Sequence, residues 1–453
     1  MHNYLWTPIG TETRPFNGSF DGGVYDKNND CEDCNIIQCL NISTESPYQG
    51  LFGCTNKFVQ VKKQAPTLNL LAQSIMNDFL QPEIGQNPQI QQLENKIANS
   101  VYSGQNEDIG GKATETSTIK NIIIQYGYVK GGSKIGSVAG VNYSVVKNIS
   151  VFFMVVLAKD QESKVGGIVG LNIGTISNVE TNAKVTGKNS VGGIAGKNFG
   201  RIVNSKKTGE LIYGGNYVGG VAGSNINLES NENSMGEVLG SENTSMVSAY
   251  GNHVGGVVGF NIGKAENIQN TNEVKGVNNI GGIVGYNKGF IVKAKNAGLV
   301  NGKEESVGGI VGHNIGSSKQ SSIKNSENNG NVIGRGKYVG GIVGAIIVGL
   351  KSTDVDRYGE VFEVYASDGA ALVNNKNTGL IQGTSTHVAG IVGYAEAASL
   401  TNCNNYGIIL GPDEDSLGGV FGERRKGKIS DSNSFGEKRV MTQDELSKIV
   451  DKK

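Results

Sequence analysis

Valine and isoleucine alternate with polar residues along most of this chain, and a short glycine-bearing hexamer punctuates the alternation. The hexamer reads aliphatic residue, usually Gly-Gly, two small or aliphatic residues, then Gly. Its copies begin at Ile135, Val165, Val191, Val218, Val254, Ile280, Val307, Val339, Val388 and Leu417. The tightest copies stand 26 or 27 residues apart, as from Val165 to Val191 and from Val191 to Val218. A period-two pattern sends one face of a strand inward. A fixed period in the twenties marks an array of stacked coils, so function belongs on a surface and not in one cleft.

Two further features keep the register. Asparagine stands two residues after the last glycine of the hexamer at Asn142, Asn172, Asn198, Asn225, Asn261, Asn287 and Asn314. Stacked at equivalent corners, such residues are expected to form an amide ladder. A closing glycine ends each coil at Gly187, Gly214, Gly240, Gly276, Gly302, Gly334, Gly383 and Gly411. A coil of this length has room for three short strands and three turns, with glycines supplying positive φ at corners and close stacking of coil on coil.

Outside the repeats the style changes. Residues 1–56 contain short β-prone pieces, Trp6 and clustered Phe residues, and read as an irregular first coil that caps the array. In residues 57–118 glycine is scarce and apolar residues take helical spacing. Leu68, Leu71, Ile75 and Phe79 form one face, and Ile90, Leu93, Ile97 and Val101 form another after Asn87-Pro88. Two amphipathic helices are expected there. The repeats fill 119–436, and in 437–453 the box Thr442-Gln-Asp-Glu445 starts a helix expected to seal the far end. The predicted fold is all-β: a right-handed parallel β-solenoid (β-helix) of about ten coils with a small α-helical insertion and a helical C-terminal cap.

Composition narrows the function. Among 453 residues are 68 glycines, without collagen's every-third register, and 41 basic residues balance 41 acidic ones. A neutral chain offers no field for phosphates, so nucleic acid is not an expected partner. The longest apolar run, Val151 to Ala158, is too short to cross a bilayer, and the N-terminus has no secretory leader pattern. Cys31-x-x-Cys34 has zinc-ligand spacing, but Cys39 and Cys54 do not form a second close pair. Ordinary thiols or a local disulfide are favoured over structural zinc. Asp26, Asn28, Asp30 and Asp33 form a loose calcium-loop pattern that lacks the sixth-place glycine and has Ile37 where the bidentate Glu belongs. The glycine hexamers lead into strands and so are not dinucleotide fingerprints, and no nucleophile elbow, P-loop or H-E-x-x-H occurs. No catalytic residue, cofactor or metal is expected.

Stretched spacing marks insertions. They are expected after Gly53, between Gly240 and Val254, and between Val339 and Val388. The last of these carries Asp354, Asp356, Arg357, Glu360 and Glu363, the candidate ligand-binding loop.

Gln49-Gly-Leu-Phe-Gly53 after Phe20-Asp21-Gly22, followed by serial VGGIVG-x-N-x-G-x-I-x-N coils, resembles the GLUG-repeat family. Such repeats occur in large bacterial surface proteins, both filamentous-haemagglutinin-like adhesins and the non-catalytic regions of IgA-specific metallo-endopeptidases. The resemblance implies a non-enzymatic cell-surface adhesin or stalk segment, extracellular, part of a longer protein, and monomeric. Its expected partner is a host or neighbouring-cell glycan or glycoprotein. Two alternatives stand beside it. One is an exosite module of a secreted metallopeptidase. The other is a carbohydrate-active β-helix enzyme using Asp354, Asp356 and Glu360 as paired carboxylates.

Overall fold

The hexamer is a corner between two short parallel strands in the computed structural model. The structure describes residues 7–11, 15–16, 19–21, 35–38, 40–44, 46–55, 118–226, 236–316, 322–348, 350–355, 361–365 and 369–450. The chain divides into Met1–Asn56 with Ser117–Lys453 and, separately, Lys57–Thr116. The second unit, with both helices expected in 57–118, lies outside the described residues, as do Trp6 and the calcium-like Asp26, Asn28, Asp30 and Asp33.

One coil shows the plan. It runs through Val254–Gly255, Val258–Asn261, Lys264–Glu266, Gln269–Asn270 and Val274–Gly276, five short strands where three were expected. Each strand pairs in parallel with its counterpart one repeat on: Val254 with Ile280, Val258 with Val284, Ala265 with Ile291, Asn270 with Asn296 and Val274 with Val300. Ten strands stack on the hexamer wall, from Lys134–Ile135 to Leu417–Gly418, giving a parallel β-solenoid of ten turns.

The inward face is apolar, as the alternation requires. In that coil Val254, Val257, Val258, Ala265 and Val274 are fully buried and Ile268 nearly so. Each buried Val or Ile contributes about 1.5–3 kcal/mol, so the core grows by one similar layer per coil. The irregular first coil joins it through Phe16 and Phe20, whose rings pack 4.9 and 5.8 Å from that of Phe52.

The hexamer glycines serve close approach. A methyl on Gly256 would collide with the carbonyl oxygen of Gly282 in the next coil, and one on Gly255 with that of Val258. Positive φ at the corners is carried by other residues. Asn121, Asn148, Asn178, Asn204, Asn267, Asn325, Asn374 and Asn402 form one left-handed row, and Ser190, Tyr217, His253, Asn279, Ser306, Tyr338 and His387 form another. Asparagine tolerates this conformation best, because its short amide bonds locally.

Gly240 is a correction. It was expected to close its coil, but it sits in the asparagine left-handed row with φ 57°, and Ala249 pairs with Gly214 in the closing row. The stretch from Gly240 to Val254 is therefore in register, and the extra residues of that repeat lie earlier, between Asn225 and Glu237.

The C-terminal helix forms where expected, Gln443–Val450. Its capping box is complete: Glu445 Oε2 accepts from the Thr442 backbone at 2.8 Å, and Thr442 Oγ1 accepts from the Glu445 backbone at 3.3 Å. Its position differs from expectation. Leu446 and Ile449 pack with Met441, Ile333, Leu380 and Leu410, outward residues of three successive coils, so the helix covers a flank and not the far end. The physical reason is that Ile333, Leu380 and Leu410 make an apolar stripe on the outside, which the helix buries.

Candidate functional site

Two corners of each coil are held by buried asparagines. At the first, each Asn Nδ2 donates to the Oδ1 of the next coil: Asn142 to Asn172 at 2.8 Å, Asn172 to Asn198 at 2.7 Å, and so on through Asn287 to Asn314 at 2.7 Å. The second N–H donates to a backbone carbonyl two residues on, as Asn172 does to Gly174 at 3.0 Å. Both donors are thus used in a fully buried site, where an unpaired amide would cost about 1–3 kcal/mol. The first acceptor, Asn142 Oδ1, receives the hydroxyls of Thr55 and Ser144, each at 2.9 Å.

A second ladder, which the sequence reading missed, runs from Asn243 through Asn270, Asn296, Asn328 and Asn377 to Asn405, with links of 2.7–2.9 Å. It ends with Asn405 Nδ2 donating to Ser434 Oγ at 3.1 Å. At its start Lys207 occupies the asparagine position, fully buried, paired in register with Asn243. Its ammonium donates to the carbonyls of Thr208 and Glu210 and to Ser245 Oγ at 2.7, 2.8 and 2.9 Å. Desolvation lowers its pKa to about 7, against the pull of Glu210.

Four insertions leave from the first corner; a fifth leaves the first coil elsewhere, between Asp21, paired with Lys120, and Asn35, paired with Ile122. In an uninterrupted coil only Ile262 and Gly263 join Asn261 to the strand at Lys264. At the same corner the chain departs after Thr55 and returns at Thr118, departs after Asn225 and returns at Glu237, departs after Gly316 and returns at Ser322, and departs after Val348 to return at Ala370. The register fixes the equivalence, since Thr55, Asn142 and Asn172 are partners, as are Asn225, Asn261, Asn287, Asn314 and Ile346. Spacing alone located the first and last departures; that all four share a corner needed the register.

The predicted loop lies in the last of these. Leu350–Val355 and Val361–Tyr365 form an antiparallel pair, distinct from the parallel array. Asp354 stands opposite Phe362 and Glu363 opposite Thr353, so the two acids occupy neighbouring register positions. Asp356, Arg357 and Glu360 lie outside the described residues.

On the strand leading into the same corner, a row of rings was also missed. Phe260, Tyr286 and His313 are register partners, with Tyr217 and His253 beside them. Centroids are 5.1 Å apart for Tyr217–His253, 5.4 Å for Phe260–Tyr286 and 5.1 Å for Tyr286–His313, the last pair nearly parallel at 4°. Desolvation lowers His253 to about 3 and His313 to about 4 and raises Tyr217 to about 12. Asn279 Nδ2 lies 3.1 Å from His253 Nδ1, where a neutral ring nitrogen accepts the amide hydrogen. The rings spend their faces on each other, so the row is packing, with the histidines held neutral.

Cys54 and Cys403 are buried, and Cys31, Cys34 and Cys39 lie outside the described residues. Burial pushes the Cys403 thiol up, away from the reactive thiolate. Among the described residues no three His, Cys, Asp or Glu side chains converge as a metal site, and no helix is long and apolar enough to cross a membrane.

Fold and corner together define a β-solenoid repeat protein. The family model of the GLUG motif matches residues 304–333, which run from the turn before Val307 through the departure at Gly316 to the closing strand Val332–Gly334, one coil of the array. The chain therefore carries the GLUG motif its residues resemble, within a structural repeat module. No curated protein and no solved structure matches it.

Proposed function

We propose that this chain is a non-enzymatic segment of a cell-surface adhesin or stalk, extracellular, in which the solenoid is the scaffold and the first corner displays the recognition elements. The observation that carries this reading is that four of the five long departures share one corner, the fifth lying between Asp21 and Asn35 in the irregular first coil. Solenoid insertions gather on one face when that face binds. The second corner, with the same ladder chemistry, keeps its short connection throughout. The ligand class is a glycan or glycoprotein of a host or neighbouring cell, met by the 350–365 hairpin and its charged residues Asp354, Asp356, Arg357, Glu360 and Glu363.

The test is a glycan and host-protein binding array with the full chain, beside a variant in which residues 347–370, between Ile346 and Ala371, are replaced by Ile-Gly, the connection that joins the register partners Asn261 and Lys264. Binding that is retained by the full chain and lost by the folded variant is the expected result. No bound ligand at micromolar concentration, or equal binding by both, would overturn the reading.

A further inference from the structure

The last coil departs from all others at two inward positions. One row runs Asn142, Asn172, Asn198, Asn225, Asn261, Asn287, Asn314, Ile346 and Ala395, each fully buried, and ends in exposed Arg424. Another runs through Val185, Ile212, Val247, Val274, Val300, Val332, Ile381 and Ile409, also fully buried, and ends in exposed Lys438. The remaining inward residues of that coil lose their cover. Leu417, Val420 and Phe421 are only half-buried, and Ile429 is 44% exposed.

Nothing among the described residues pairs with the far edges of Leu417–Gly418, Phe421–Lys426, Ile429–Ser430, Asn433–Ser434 and Lys438–Val440. The chain itself turns away after Val440 and lays its helix on the flank. Such an edge offers unpaired backbone groups from several strands to any incoming coil. Head-to-tail stacking of one copy on another would not close and would grow a filament.

We propose that Arg424 and Lys438 make the last coil a stop against end-to-end assembly of this protein. An incoming coil would bury a guanidinium and an ammonium where the earlier coils bury an amide, an aliphatic group or, at Thr55, a hydroxyl, with no carboxylate partner in either row. Arg424 also lies 5.3 Å from the ring centre of Phe421, and its Nη1 donates to the Gly427 carbonyl at 3.4 Å. The cation thereby shields the most apolar inward side chain of the open end while keeping its charge in water. The inference is independent of the proposed adhesive role.

The experiment gives the last coil the residues of the one before it, Arg424→Ala with Lys438→Ile, in the full chain, and follows mass by sedimentation and light scattering over a concentration series. The unaltered chain is expected to stay monomeric, and the double variant to rise by about twofold or more in weight-average mass as end-to-end chains form. The charge-conserving pair Arg424→Lys with Lys438→Arg is expected to stay monomeric. Should the double variant fail to fold, Arg424→Ala alone carries the test against Arg424→Lys. A folded alanine variant that keeps the monomer mass, or an unaltered chain that already stacks end to end, would overturn the proposal.

Discussion

The two asparagine corners use the same chemistry and differ in what they admit. At the second, three residues join Asn270 to Val274, Asn296 to Val300, Asn328 to Val332, Asn377 to Ile381 and Asn405 to Ile409, and the ladder runs unbroken to Ser434. At the first, the chain leaves the register four times, and the ladder ends where departures crowd: Thr55 starts it, and Ile346 stands where Asn314 would find its successor. Asn225 is the instructive exception. It keeps both its link to Asn261 at 2.8 Å and its bond to the Gly236 carbonyl at 3.0 Å, across the insertion. An amide that bonds a fixed carbonyl on the returning strand holds the corner shut, whatever the chain does in between. Insertion and ladder are compatible when the return point is preserved.

Breaking the ladders should have the largest effect, and a similar one at both corners. Asn296→Ala leaves Asn270 Nδ2 and the Gly298 carbonyl without their partner, and Asn225→Ala does the same to Asn198 Nδ2 and the Gly236 carbonyl. Each is expected to cost about 3 kcal/mol in urea unfolding. A gap of more than about 2 kcal/mol between them would mean that the corners are not chemically alike.

The corners should also separate by pH. His313, on the strand leading into the first corner, and His253, in the left-handed turn beside that row, stay neutral when folded, with pKa about 4 and about 3, whereas an unfolded histidine protonates near 6.5. As pH falls from 6.5 to 4 the unfolded chain takes up more protons, so stability is lost across that window. The loss should be about 1–2 kcal/mol per histidine, since each ring keeps a solvent-facing edge. His253→Phe with His313→Tyr should flatten the unfolding midpoint there; an unchanged acid slope would show that the rings do not carry it.

Lys207 acts at the second corner and in the opposite range. Its pKa of about 7 lies below the ordinary 10.5, so between those values the unfolded chain holds a proton the folded chain has released. Stability therefore rises with pH through that window, and the penalty is fully present below 7. Lys207→Asn, which continues the ladder, should remove about 1–2 kcal/mol of that rise, leaving a part due to Lys197, also lowered to about 7 by burial. A slope unaffected by the substitution would remove Lys207 as its source.

Much of this architecture was legible in the residues. The hexamer revealed the coil, the first asparagine row revealed one ladder, and Thr442 with Glu445 revealed the helix start, because each is a local pattern with one physical solution. The second ladder carried the same signal, Asn-x-Gly at Asn296, Asn328, Asn377 and Asn405, yet no glycine hexamer precedes it to fix the register. Gly240 misled because a closing glycine and a left-handed corner glycine look identical in sequence, and only the pairing of Ala249 with Gly214 separates them. The flank position of the helix depended on Ile333, Leu380 and Leu410 lying side by side, which sequence separation conceals. For the functional face, stretched spacing showed where residues were added. Their common corner emerged only once Thr55, Asn225, Gly316 and Val348 could be placed in one frame.

The smallest predicted effect is the most direct test of the central claim, that the first corner displays elements the scaffold does not need. Equilibrium unfolding of the chain with residues 347–370 replaced by Ile-Gly should give one cooperative transition within about 0.5–1 kcal/mol of the unaltered protein. A loss of about 3 kcal/mol or more, or a second transition, would contradict the account by showing that the hairpin is part of the scaffold.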